Sequence, residues 1–162
     1  TVRNKTGEAT FTRPAGKTQW ECQKPPAGRA AVRQIEVEPL VQRCGLITAM
    51  QFLKPLQAST LNAFGLEPPV IEVTLTYEQD GQEKVASFGI GNVVEGKSEN
   101  YLRSSQSTFA MTIAAHMLPA FEKDLAEYFD PAAPTGEGAE PKVDPPKDAP
   151  KDGAKEEPKK GG

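Results

Sequence analysis

From Val70 to Tyr77 the chain alternates, with Ile71, Val73, Leu75 and Tyr77 on one face and Glu72, Thr74 and Thr76 on the other. A period of two predicts a strand buried on one side. Asp80-Gly81 follows, a dipeptide suited to the positive φ angles of a tight hairpin turn. Lys84 to Ile90 then supplies a return strand, with Val85, Ser87 and Gly89 alternating against Ala86, Phe88 and Ile90. Gly65-Leu66-Glu67-Pro68-Pro69 is a rigid entry to this hairpin, since each proline fixes φ and disfavours helix at the residue before it. An isolated hairpin is marginal in water, so the flanking sequence must cover its apolar face.

The flanks offer the cover. Glu8–Arg13 and Thr18–Gln23 both alternate around a turn-like Pro14-Ala15-Gly16-Lys17, which predicts a second hairpin with Trp20 as its core anchor. Lys24–Arg29 breaks the regularity. Ala30–Cys44 carries Val32, Ile35, Leu40, Val41 and Cys44 at near-helical spacing, with Pro39 inside and Gly45 as the expected C-cap. Ile47–Leu53 reads as a short strand, and Ser59–Phe64 as one helical turn capped by Ser59. Asn100–Arg103 and Thr108–Met111 flank a polar turn at Ser104–Ser107 and predict a further strand pair. Thr112–Phe129 gives the longest helical pattern, a stripe of Ala114, Ala115, Leu118, Phe121, Leu125 and Phe129. The fold class expected is α+β: antiparallel strands and hairpins packed against two main helices. It forms one domain over 1–130, followed by a disordered tail over 131–162. That tail is rich in Pro, Lys and acids, with Val143 as its one β-branched aliphatic residue, too little to offset its ordering entropy.

Composition narrows the chemistry. The net charge of −3 over 162 residues leaves no basic footprint for nucleic acid. No apolar run reaches the length of a membrane span. The sequence opens without Met or a signal-peptide core, so a processed chain or an excised segment is expected, and a missing N-terminal anchor stays open. Cys22 and Cys44 fit either a single bridge or two buried thiols. One His and two distant Cys do not make a zinc site. His116, on the predicted C-terminal helix, has no nucleophile or acid marked out beside it. Glu122, Asp124 and Glu127 read as a solvated helix face, and Glu78–Gly81 is too short for a calcium loop. The expectation is a chain that is not an enzyme and uses no cofactor or metal.

Gly89-Ile90-Gly91-Asn92 and Gly96 invite a phosphate-loop reading. A phosphate cradle lies between a strand and a helix N-terminus, whereas Tyr101-Leu102 looks like another strand, so a loop between strands is expected. Gly89, Gly91, Asn92 and Tyr101 remain the residues nominated for contact with a ligand or partner.

The ordered run of segments is more specific than any one of them. The opening at Trp20 and Pro25, Phe64-Gly65-Leu66-Glu67-Pro68-Pro69, Ile90-Gly91 to Tyr101-Leu102-Arg103, and the close from Leu118 to Asp130 together resemble the bacterial domain-of-unknown-function family 4340. The resemblance covers roughly 10–130 and leaves out the tail. It implies a small α+β module, often repeated, in envelope-associated bacterial proteins, some of them similar to parts of gliding-motility or export machinery. It transfers no catalytic residue. The expected function is a protein-interaction module or accessory subunit, placed at the cell envelope or periplasmic side of a membrane. Its partner is another protein, bound through the helix or a sheet edge. The alternative is a small-ligand-binding domain using the 89–101 region.

Overall fold

The hairpin at the centre of the sequence is also the centre of the molecule. In the computed structural model, which describes residues 1–132, strands β7 (Ile71–Gln79) and β8 (Gln82–Val93) pair in unbroken antiparallel register from Ile71↔Ile90 to Gln79↔Gln82. The turn between them has Asp80 at φ 56 and Gly81 at φ 72, the left-handed pair that matches the twist of the strands. Around this hairpin lie β1 (Val2–Asn4), β2 (Gly7–Ala9), β6 (Gln51–Pro55), β9 (Glu99–Ser104) and β10 (Phe109–Ala114). The resulting antiparallel sheet has the order β2-β1-β7-β8-β9-β10-β6. Two small ladders flank it: β3 (Phe11–Thr12) with β4 (Glu21–Cys22), and β5 (Arg29–Val32) with β11 (Phe129–Pro131). The class is α+β, with antiparallel sheets and few helices.

Each face of the sheet has its own cover. Ile71, Val73, Phe88, Ile90, Leu102, Met111 and Ile113 point to the inner face. There they meet Val37 and Leu40 of helix α1 (Gln34–Gly45), Phe121 of helix α3 (Pro119–Glu122), and Leu125, Tyr128 and Phe129 beyond it. A strap of helix α2 (Ala58–Ala63) and residues 64–69 crosses the outer face, where Leu66 and Ala110 are fully buried apart from the main cluster. Pro39 sits in α1 without breaking it; the hydrogen bond it removes falls on Ile35, which is largely exposed.

Several expectations need correction. Thr112–Phe129 is not a helix: it is the end of β10, a 3-10 turn, the four-residue α3, a second 3-10 turn and β11. Ala110 to Ile113 are buried on both faces of the sheet, so the alternation that would reveal a strand is absent. Among the described residues there is therefore one main helix, α1, rather than two. Ala30–Val32 belongs to β5, and α1 starts only at Gln34 because β5 is needed to pair with β11. Gly45 is the last residue of α1 and Leu46 its C-cap; α2 is capped at Gln57 rather than Ser59. Glu8–Arg13 is split: Gly7–Ala9 pairs with β1, and only Phe11–Thr12 pairs with β4. The boundary placed after Asp130 falls inside β11, and Ala132 N–H still donates to Gly28 O at 2.9 Å. The rest of the expected tail, 133–162, lies outside the described residues.

Tyr128 links the C-terminal segments. Its hydroxyl donates to Ala120 O at 2.7 Å, and its ring is 2% exposed. Burial pushes its phenol up to about 12, assisted by the Glu36 and Glu127 carboxylates. A folded value above the ordinary 10 means that the neutral phenol stabilises the fold fully below pH 10, and this is lost as pH rises through 12. Tyr128→Phe is expected to cost about 1 kcal/mol at pH 7 through the lost hydrogen bond. Urea melts from pH 7 to 12 should show the two proteins converging above pH 10; a constant gap would remove the phenol from the alkaline loss.

Candidate functional site

The glycines of β8 are close-approach positions. Gly89 lies in the return strand, and β8 runs on through Gly91 and Asn92, where a loop is expected, so that only Gly96 sits in the following turn. A Cβ on Gly91 would stand 2.2 Å from Phe64 O, and one on Gly89 2.8 Å from Arg103 Nε. The strap is thus seated directly on β8. Asn92 N–H donates to Phe64 O at 2.9 Å, and the Asn100 amide to Gly91 O at 3.2 Å. The Phe64 ring stacks on Tyr101, with centroids 3.9 Å apart and planes within 2°. Arg103 holds Glu67 at 2.7 Å and Glu72 at 3.0 Å, and Arg3 joins through Glu72. The structure therefore brings Gly89, Gly91, Asn92 and Tyr101 together around the chain's own residues 64–69. The sequence signal for this was present in Gly65-Leu66-Glu67-Pro68-Pro69, but only tertiary contact shows what it packs on.

The other polar candidates stay apart. His116 is exposed in the 3-10 turn after β10. Asp124 caps the second 3-10 turn by accepting from Ala126 N–H at 2.9 Å, and Glu127 faces Lys123 at 3.6 Å. Glu36, hydrogen-bonded by Lys123, is held below the usual carboxylate range. Cys22 and Cys44 are free and half-buried. Burial pushes the Cys44 thiol up to about 11, so at neutral pH it packs as a protonated thiol. Among the described residues no three His, Cys, Asp or Glu side chains converge on a metal position, and no helix is long and apolar enough to cross a membrane.

Sequence reading missed the main opening in the surface. β1 covers only the first part of β7: Arg3 pairs with Glu72, Val2 with Val73, and Thr1 exchanges both backbone hydrogen bonds with Thr74, at 2.8 and 2.9 Å. Beyond Thr74 the β7 edge faces the β3–β4 ladder across a gap. Between them lies a cleft of about 650 Å³, walled by Leu75, Thr76 and Tyr77 on one side and Phe11, Thr12 and Arg13 on the other. Its floor is Leu40, Val41 and Cys44 of α1 with Trp20. Trp20 is held there by its indole N–H on Glu38 at 2.8 Å, by two bonds between its backbone and Gln34, and by Arg13 over its ring at 4.6 Å. A second hollow of about 520 Å³ continues past Cys44, Leu75 and Tyr77 toward Phe52, which is 68% exposed. The arrangement is an apolar trough with a polar rim.

A family model described as Domain of unknown function (DUF4340) matches residues 20–134. No curated protein matches the chain, and no solved structure does.

Proposed function

The chain belongs to the DUF4340 family, and from that premise we propose that it is a non-enzymatic protein-interaction module, an accessory subunit of a bacterial, envelope-associated complex. One observation carries the reading: the inner face of the sheet, closed by helices at one end, is left as an open apolar trough at the other, with Tyr77 and Phe52 exposed along it. Apolar surface gathered in this way, with polar residues at its rim, is characteristic of a contact surface. The placement at the envelope rests on the resemblance of the sequence segments. Crosslinking of the full chain in its source cells, read by mass spectrometry, tests the proposal. Lys84, which pairs with Tyr77 on the same face, and Lys17, beside the β3–β4 ladder, are the expected points of attachment. Crosslinks confined to the chain itself in repeated trials would count against an interaction module.

A second reading, a small-ligand site around 89–101, is favoured by one observation. Glu99 Oε2 and Thr112 Oγ1 are buried without a hydrogen-bond partner, and the registers Glu99↔Ala114 and Tyr101↔Thr112 set both on the outer face with Tyr101. A polar ligand there would satisfy two costly groups. A thermal-shift screen with small polar metabolites separates the readings, because a true ligand gives saturable stabilisation that Thr112→Val abolishes.

A further inference from the structure

The outer face of the sheet carries a row of acceptors across β9, β10 and β6. Glu99 opens β9, and its Oε2 is buried without a hydrogen-bond partner among the described residues. Thr112 of β10 is 1% exposed, and its Oγ1 is likewise without a partner. The register Thr112↔Gln51 sets the Gln51 side chain of β6 beside Thr112 on the same face. Gln51 Oε1 accepts from Lys97 Nζ at 3.4 Å, so the chain itself brings an ammonium to this place. Gln51 and Lys97 are exposed, Glu99 is half-buried and Thr112 is buried, so the row runs from solvent into the sheet. Among the described residues, no Lys or Arg pairs with Glu99.

We propose that Glu99, Thr112 and Gln51 bind the primary ammonium of a small alkyl amine. A carboxylate and an amide oxygen only accept, and a hydroxyl can accept, whereas a primary ammonium has three N–H donors and no acceptor. The three side chains thus match the three donors of one nitrogen. The bond to Glu99 is charge-assisted and is the strongest of them. Charge excludes the other classes. An anion would face the Glu99 carboxylate with no cation of the chain paired to it, and a neutral molecule would leave that charge unbalanced. A calcium or magnesium ion takes six or more oxygens, and among the described residues no three acidic, His or Cys side chains converge. Because Thr112 is 1% exposed, the group that reaches it must be slim, a nitrogen at the end of a single alkyl chain. The inference rests on the small-ligand reading above and adds to it the charge and head group of the ligand.

The test is a titration of the full chain with butylammonium chloride, followed by thermal melting and by heteronuclear NMR. The amine should raise the melting temperature saturably and shift the amide signals of Gln51, Glu99 and Thr112. Two controls should do neither at the same concentrations: tetramethylammonium, which has the charge without N–H donors, and butanol, which has the chain without the charge. Glu99→Gln keeps the shape, removes the charge and should weaken binding about tenfold or more. Thr112→Val keeps the volume without the hydroxyl and should remove the stabilisation as well. Lys97→Met should tighten binding about threefold, because it frees Gln51 and removes a like charge. An equal response to tetramethylammonium, or unchanged binding by Glu99→Gln, overturns the site. If only Lys97→Met responds to butylammonium, the acceptors belong to Lys97 itself and the free amine is overturned. If N-acetyl-lysine methylamide binds about tenfold tighter than butylammonium, the site reads a lysine of a peptide, and the small amine is again overturned. The fate of the underlying reading is separate. A neutral or anionic metabolite whose stabilisation is lost in Thr112→Val sinks the amine and keeps the small-ligand reading, whereas no response to amine or metabolite sinks both.

Discussion

Gly91→Ala is expected to destabilise the protein by about 3 kcal/mol, the upper end of what overpacking costs. The added methyl would stand 2.2 Å from Phe64 O and 2.9 Å from Gly65 O, and both obstacles are backbone. The strap cannot yield at one atom, because Asn92 N–H holds Phe64 O and Leu66 is buried without exposed surface. Relief requires lifting residues 64–69 off β8, which also parts the Phe64–Tyr101 stack. Gly89→Ala is the control. Its nearest obstacle is the Arg103 side chain, which can swing aside at the cost of half-exposed ion pairs, so a loss of about 1 kcal/mol is expected. Combining Phe64→Ala with Gly91→Ala should give no rescue, because the clash is with the carbonyl and not the ring. Urea denaturation of the variants checks the series. A Gly91→Ala midpoint equal to wild type would mean that the strap does not seat on β8.

Asn4→Ala is expected to cost a similar amount, about 3 kcal/mol, for a different reason. The Asn4 amide donates to Phe121 O and to Lys123 O, each at 2.9 Å, and its oxygen accepts from Thr6 N–H at 2.8 Å and Thr6 hydroxyl at 2.7 Å. Thr6 Oγ1 then accepts from Leu125 N–H at 3.0 Å. This buried side chain ties the N-terminal strand to the segment leaving α3, and alanine strands two carbonyls with no donor. Asn4→Asp should be at least as harmful at neutral pH, because a carboxylate cannot donate to the two carbonyls it would face. Thermal melts of both variants decide the matter. An aspartate variant as stable as wild type would assign the node to its accepting side alone.

How much was legible in the sequence depended on whether a segment's partner was local. The alternation of Ile71, Val73, Leu75 and Tyr77 and the Asp80-Gly81 turn specify a hairpin by themselves, and the hairpin is there. Val2–Asn4 is too short to carry a pattern; its strand exists because β7 and β2 flank it. Leu118, Phe121 and Leu125 do recur at helical spacing, yet the chain turns between them at Lys123, where φ −53 and ψ 143 end α3. All three still reach one core, so the stripe was read correctly as buried and wrongly as one helix. The glycines of β8 suggested a loop because close approach by a distant strap leaves no other mark in a single sequence. The cleft left no mark at all. Its two walls, Phe11 to Arg13 and Leu75 to Tyr77, are some sixty residues apart in the sequence and meet only in the folded chain.

The order of strands in the sheet bears on how the chain is made. β7 to β10 are consecutive in sequence and each pairs with the next, so this meander can assemble from short loops as soon as it emerges from the ribosome. β1 and β2 emerge first, yet β1 lies between β2 and β7, and Val2 finds Val73 only after the whole intervening stretch has been synthesised. Until then Phe11, Trp20, Val37 and Leu40 have no sheet to pack against. The N-terminal half of this domain is the part of the nascent chain that must be kept from other contacts for longest.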